Sequence, residues 1–174
     1  MIIESVVWRS LQWPGHETAR LIELPGSHII EGVVAFEQDN QPCGLSYAIT
    51  CDEKWVTQRT RVTGSVGTRP IDVDLTSLDG LIDIDLNFSP STNTLPIRRL
   101  NLEIGQSAEV TAAWLRFPSF ALQPLEQEYT RTGEETYRYR NRVSGFTAEL
   151  RVSAHGLVIE YGDLWTAISR SASG

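Results

Sequence analysis

One stretch restricts the possible folds more than any other. Ser89 to Leu102, SPSTNTLPIRRLNL, carries helix punctuation inside a chain that otherwise alternates like strands. Thr92 or Asn93 can cap a helix with a side-chain oxygen, and Pro96 suits a first turn, where its missing N–H is one that a helix start leaves unpaired anyway. Leu95, Arg98 and Arg99 follow at three- and four-residue spacing, that of one helical face. The expectation is a short helix embedded in a β chain.

The flanking sequence supplies the strands. Ile2 to Arg9 alternates, QWPGHE from Gln12 to Glu17 reads as a turn or loop, and Ala19 to Leu24 and Ser27 to Glu37 are joined by Pro25-Gly26, with a bulge or bend expected at Gly32. Asp39-Asn40 is a hairpin signal leading into Leu45 to Cys51. Trp55 to Gly64 alternates, with Trp55, Thr57, Arg59 and Arg61 on its wetter face. Ile71 to Leu75 and Leu81 to Phe88 read as two acid-bearing strands around Asp79-Gly80, with Asp72 and Asp74 on one and Asp83 and Asp85 on the other. Strands also fit Glu109 to Phe117, Tyr129 to Thr132, Glu135 to Arg142, Phe146 to Val152 and Leu157 to Tyr161, and the small polar tail from Ser169 reads as frayed. Turns recurring every 8 to 12 residues or so predict an all-β, mainly antiparallel sheet, curled so that its concave side covers the helix. Residues 1–168 are read as a single domain, with 169–174 as a flexible tail.

Composition removes several classes of function. The chain has 174 residues, enough for one domain with its own core. Acidic residues number 22 against 15 basic, a net charge of −7, which opposes a nucleic-acid role. No apolar run approaches the roughly 20 residues of a membrane-crossing helix. The start, MIIESVVWRS, lacks the basic n-region of a signal peptide, so the expected compartment is the cytoplasm. Cys43 and Cys51 form neither a CxxC pair nor a disulfide framework and are expected to be reduced.

Within Leu81 to Leu100 the block DIDLNFSPSTNTLPIRRL resembles the signature of the Putative glycolipid-binding family, bacterial domains formerly of unknown function. Other pieces of the resemblance are Trp8-Arg9, Gly15 and Glu17, Cys51-Asp52 before Trp55, Gln127 with Tyr129, Tyr137-Arg138-Tyr139, and Gly156-Leu157-Val158 with Tyr161; Ser91 departs from the pattern. The resemblance implies a spiral β-roll, a many-stranded antiparallel sheet wrapped around one helix, in members thought to form homodimers. It also implies an amphiphilic small molecule or glycolipid as ligand, a label inferred from likeness to lipid-carrying envelope proteins.

The residues that could meet such a ligand have structural readings as well. Arg98 and Arg99 can hold a phosphate or carboxylate while Asn93 binds hydroxyls, or the arginines can pair with Asp83 and Asp85 and pin the helix to the sheet. Asp72, Asp74, Asp83 and Asp85 fit a solvated or salt-bridged face better than a metal or acid–base cluster, because no histidine joins them. Tyr137 and Tyr139 share one strand face, suited to sugar stacking or to a core, and Trp114 could line a cavity or pack in one. No catalytic motif fixes a reaction, and no cofactor or metal is expected. The reading is a non-catalytic binder holding an amphiphile between curved sheet and central helix. The alternatives are a small-molecule enzyme using Asp83 or Asp85, and a dimeric structural module with a filled core.

Overall fold

The computed structural model describes residues 1–173. Among them are thirteen strands and a single short α-helix: β1 (Ile2–Ser10), β2 (Gly15–Leu24), β3 (Ser27–Gln38), β4 (Gln41–Asp52), β5 (Thr57–Val66), β6 (Arg69–Leu75), β7 (Ile84–Leu86), a 3-10 turn (Pro90–Asn93), α1 (Thr94–Leu100), β8 (Ser107–Arg116), β9 (Ala121–Arg131), β10 (Thr136–Asn141), β11 (Thr147–Val152), β12 (Val158–Tyr161) and β13 (Trp165–Ala172). The chain is therefore nearly all β, as its alternation implies. No helix among the described residues is long and apolar enough to cross a membrane.

Two compact units divide the chain. The first takes residues 1–77 and 164–174, and the second takes 78–163. In the first unit the strands lie in the order β6-β5-β4-β3-β2-β1-β13. All neighbours there are antiparallel. Alternation decides which face is buried: Leu21, Ile30, Leu45, Ile49 and Val62 are on it, while Thr18, Glu31 and Ser46 are not. The hairpin signal at Asp39-Asn40 takes the form expected of it, with φ of 53° and 61° at the two turn residues.

Several expectations need correction. The strand read from Trp55 begins at Thr57; Trp55 itself has φ 66° in the preceding turn and is buried, its ring stacked on His28 at 4.1 Å. Asp52 holds that turn, accepting from the N–H groups of Lys54 and Val56. β2 starts at Gly15, inside the segment read as a loop. The pairing of β3 runs through Gly32 with no bulge. Ser169 to Ala172, read as a frayed tail, continue β13 and pair with Val7 to Glu4, while Gly174 lies outside the described residues. These four residues are exposed, so the ladder rather than burial orders them. Inside the same ladder the Glu4 carboxylate is fully buried and meets Arg170 at 3.1 Å.

The second unit has the order β12-β11-β10-β9-β8-β7. Its strands are antiparallel except for β7, which pairs in parallel with β8. Of the strand read from Leu81 to Phe88, only Ile84–Leu86 is extended. Parity is lost before it, so Ile82 is exposed and Asp83 buried, the reverse of the alternating pattern.

The helical punctuation is real. Ser89 caps the 3-10 turn that leads into the helix, accepting from the Ser91 N–H, and Asn93 holds the cap position of α1 as expected but makes no side-chain cap bond. Pro96 falls in the first turn of α1, and Asn101 ends the helix with φ 44°. A seven-residue helix is too short to hold itself in water, so packing must hold it. Burial changes along the axis rather than around it: Thr94 to Ile97 are buried and Arg98 is exposed, so Leu95 and Arg98 share no face environment. Ile97 joins Val110, Tyr129, Tyr137, Tyr139 and Leu150 in one apolar cluster of this unit.

Gly64 in β5 offers a test of the ladder. Its φ is 142°, and a Cβ there would sit 2.0 Å from the Gly44 carbonyl oxygen, whereas a Cβ on Gly44 would meet nothing within 4 Å. Gly64→Ala is expected to lose more than about 3 kcal/mol in urea unfolding and Gly44→Ala less than about 1.

Candidate functional site

The second unit brings most of the sequence-predicted residues together, in two groups. The first is a buried polar layer between the start of α1 and the sheet. Tyr129 on β9 donates its hydroxyl to Asn93 Oδ1 at 2.8 Å, and Asn93 Nδ2 donates to the Pro90 carbonyl at 3.1 Å. Thr94 Oγ1 donates to the Gly156 carbonyl at 3.0 Å, and Thr92 Oγ1 accepts from the Leu86 N–H at 3.3 Å. Next to these, Gln127 Nε2 donates to Asp85 Oδ2 at 2.6 Å and lies 3.2 Å from Tyr139 Oη. Tyr139 meets Tyr129 and Tyr161 edge to face, with centroids 5.4 and 5.9 Å apart. Every side chain here serves packing or a hydrogen bond, as buried polar groups must.

Asp83 and Asp85 differ sharply in environment. Arg99 holds Asp83 with two bonds, Nε to Oδ1 at 3.2 Å and Nη2 to Oδ2 at 2.5 Å, which realises the structural reading of that arginine. Burial nevertheless raises the Asp83 pKa, with Arg99 opposing the shift. Among the described residues no cation pairs with Asp85; burial pushes its carboxyl up to about 6, offset only in part by Gln127. Burial likewise raises Tyr129, Tyr139 and Tyr161, the Asp85 charge adding to each shift.

The second group lines a cleft of about 150 Å³ beside the exposed end of α1. Arg98, Asn101, Glu134, Glu135 and Tyr137 face it. Arg131 forms its wall: Nη1 donates to the Leu102 carbonyl at 2.8 Å, Nη2 to the Glu134 carbonyl at 2.8 Å, and the guanidinium lies 5.8 Å from the centre of the Tyr137 ring. Gly156 makes room for Arg98. Its φ is 86°, and a Cβ there would sit 2.8 Å from Arg98 Cδ. Burial raises the Tyr137 hydroxyl, with Arg131 and Arg98 pulling the other way.

Arg98 and Tyr137 thus share a cleft, while Asn93, Asp85 and Tyr139 share the buried layer with Asp83 and Arg99 at its edge. Trp114 joins neither; it is half-buried on β8 with the Arg116 guanidinium 5.6 Å from its ring centre. Asp72 and Asp74 belong to the salt-bridged reading, held by Arg61 at 2.7 Å and Arg59 at 2.6 Å. Sequence reasoning missed Glu134, Glu135 and Asn101 because residues between elements carry no periodic signal, and missed Arg131, the last residue of β9, because nothing local marks what a strand end faces. Gln127 entered only through the family resemblance, because the strand was read from Tyr129; the alternation of Leu125, Gln127 and Tyr129 onto one face is the signal that could have found it.

A sequence model of the family described as Putative glycolipid-binding matches residues 5–167. The crystal structure of a DUF1089 family protein from Pseudomonas aeruginosa, determined at 1.80 Å, is similar in sequence and fold. It is 30% identical, the match covers 86% of this chain and 91% of that one, and the TM-score is 0.75. No curated protein matches the chain.

Asp85 supplies a pH test. Its carboxyl titrates at about 6 when folded and about 3.9 when unfolded, so its stabilising contribution is full below about pH 4 and is lost as pH rises through about 6. Asp85→Asn keeps an acceptor for Gln127 and removes the charge. Denaturant unfolding is expected to find it more stable than the parent by about 1–3 kcal/mol at pH 7.5, with the gap closing near pH 4.

Proposed function

The chain belongs to the Putative glycolipid-binding family, and from that premise we propose that it is a non-catalytic binder that takes the sugar-bearing head of an amphiphile at the exposed end of α1. The observation that carries the reading is the chemistry of the cleft. A basic residue, an amide residue, two acidic residues and an aromatic one line about 150 Å³, namely Arg98, Asn101, Glu134, Glu135 and Tyr137. Hydroxyl-rich rings are recognised by such mixed donors and acceptors beside a ring, and a cleft below the roughly 300–1,000 Å³ usual for drug-sized ligands suits one head group.

The tail is a separate matter. Leu95, Pro96 and Ile97 already bury the first part of α1, so the amphiphile's place in this reading is beside the helix rather than between helix and sheet. Its acyl chains stay in the surrounding lipid. Catalysis has less support: Asp83 is committed to Arg99, and Asp85 lines neither the cleft nor the larger trough formed by Ser5, Thr18, Gly32 and Ser46 in the first unit.

Arg98→Ala separates the readings. In flotation with phosphatidylcholine vesicles containing a monoglycosyl diacylglycerol, the parent chain is expected to bind, and plain phosphatidylcholine vesicles are expected not to retain it. Arg98→Ala is expected to weaken binding about tenfold or more with unchanged unfolding, as loss of a charge-assisted contact implies. Equal binding by parent and variant sinks the head-group assignment.

A further inference from the structure

The first unit holds a larger concavity that the family description does not address, a trough of about 480 Å³ on the outer face of β1 to β4. That volume lies within the roughly 300–1,000 Å³ of small-molecule sites. We propose that this trough is a binding site for a neutral, polyhydroxylated molecule of one or two sugar rings. The inference does not rest on the head-group reading of the other unit.

The trough exists because small side chains fall in register on neighbouring strands. Thr18 pairs with Val33, which pairs with Ser46, and beside this row Ser5 pairs with Arg20, which pairs with Glu31. At a strand spacing of about 4.8 Å the four strands span roughly 14 Å. Gly32 contributes backbone to the middle of the trough, and the space on the far side of the sheet is already filled: a Cβ there would point to the buried face and lie 2.6 Å from Tyr47 Oη. Tyr47 is itself fixed, its hydroxyl donating to the buried Glu17 carboxylate at 2.5 Å. The floor is therefore anchored before a ligand arrives.

The lining also selects a chemistry. Hydroxyls from Ser5, Thr18 and Ser46 both donate and accept, matching a ligand whose own groups do the same. The charges present, Arg20 and Glu31, pair with each other, so the trough offers a donor and an acceptor without net charge and favours neither an anion nor a cation. Val33, 51% exposed, supplies an apolar spot for the C–H face of a ring.

The test is two-dimensional NMR of the full chain titrated with methyl α-D-glucoside, methyl α-D-mannoside, methyl α-D-galactoside, maltose and trehalose, with inorganic phosphate and dodecyl maltoside as further arms. At least one sugar is expected to shift the Thr18, Gly32 and Ser46 amides saturably. Ser46→Trp, which fills the trough from a solvent-facing position, is expected to weaken this by at least about tenfold. Thr63→Trp, on the next strand outside the trough, checks that a surface tryptophan is tolerated and is expected to leave the shifts intact, as is Arg98→Ala. The proposal is overturned by either of two results: no sugar shifts these amides, whatever phosphate or dodecyl maltoside does; or the shifts survive Ser46→Trp. Loss of vesicle binding in Arg98→Ala, or its absence, bears on the other unit alone.

Discussion

Ser89 to Thr94 enter the interior of the second unit with five polar side chains, Ser89, Ser91, Thr92, Asn93 and Thr94, all buried. A buried polar group without a partner costs about 1–3 kcal/mol, so a segment this polar can be inside only if the sheet answers it group by group. It does so with named atoms: Tyr129 meets Asn93, the Gly156 carbonyl meets Thr94, and Leu86 N–H meets Thr92. The rest of the unit follows from that requirement. β9 must carry a tyrosine inward, the turn at Gly156 must present a carbonyl, and β7 must end where Thr92 can receive it. The helix is then set at its start by directional bonds and along its length by Leu95 and Ile97 against apolar side chains. Its last exposed turn is free to present Arg98 to the cleft.

How much of this was legible before the coordinates depends on the kind of signal. Period-two alternation and turn pairs such as Pro25-Gly26 and Asp39-Asn40 place β3 almost residue by residue and β2 and β4 except for their first four residues, because burial on one face is what the alternation records. β13 left no such trace. Trp165 is its only buried residue, and the strand is held by backbone pairing to β1, which any sequence of small residues satisfies. The acidic strand read from Leu81 failed for a related reason. Parity arguments assume a continuous strand, and a three-residue parallel strand entered from a coil lets Asp83 turn inward.

The site was legible in a similarly divided way. Helix punctuation and the two arginines marked the segment beside which the candidate cleft lies, and Arg99 with Asp83 is the pairing that buried charge demands. The function of Arg98 was not separable from that of Arg99 by spacing, since the difference between them is depth along the axis. Arg131, Glu134 and Glu135 come to the cleft through the β9–β10 turn, a relation set by strand register and not by any local pattern.

The two aspartates, two residues apart, show why a shifted carboxyl need not mean a reaction. Both lose solvent, and both are raised by that loss; Asp83 recovers part of it from a bidentate guanidinium, and Asp85 has only a neutral amide. A general base needs substrate within hydrogen-bond reach of its oxygen. Asp85 instead has Gln127 at 2.6 Å and lines neither cavity. Its raised pKa is explained by position: β7 is the edge strand of its unit, and the Asp85 to Gln127 bond ties that strand across to β9, two strands away. The carboxyl is held in a place suited to its shape and hydrogen bond and poorly suited to its charge, and the tie between β7 and β9 accounts for its raised pKa by burial alone.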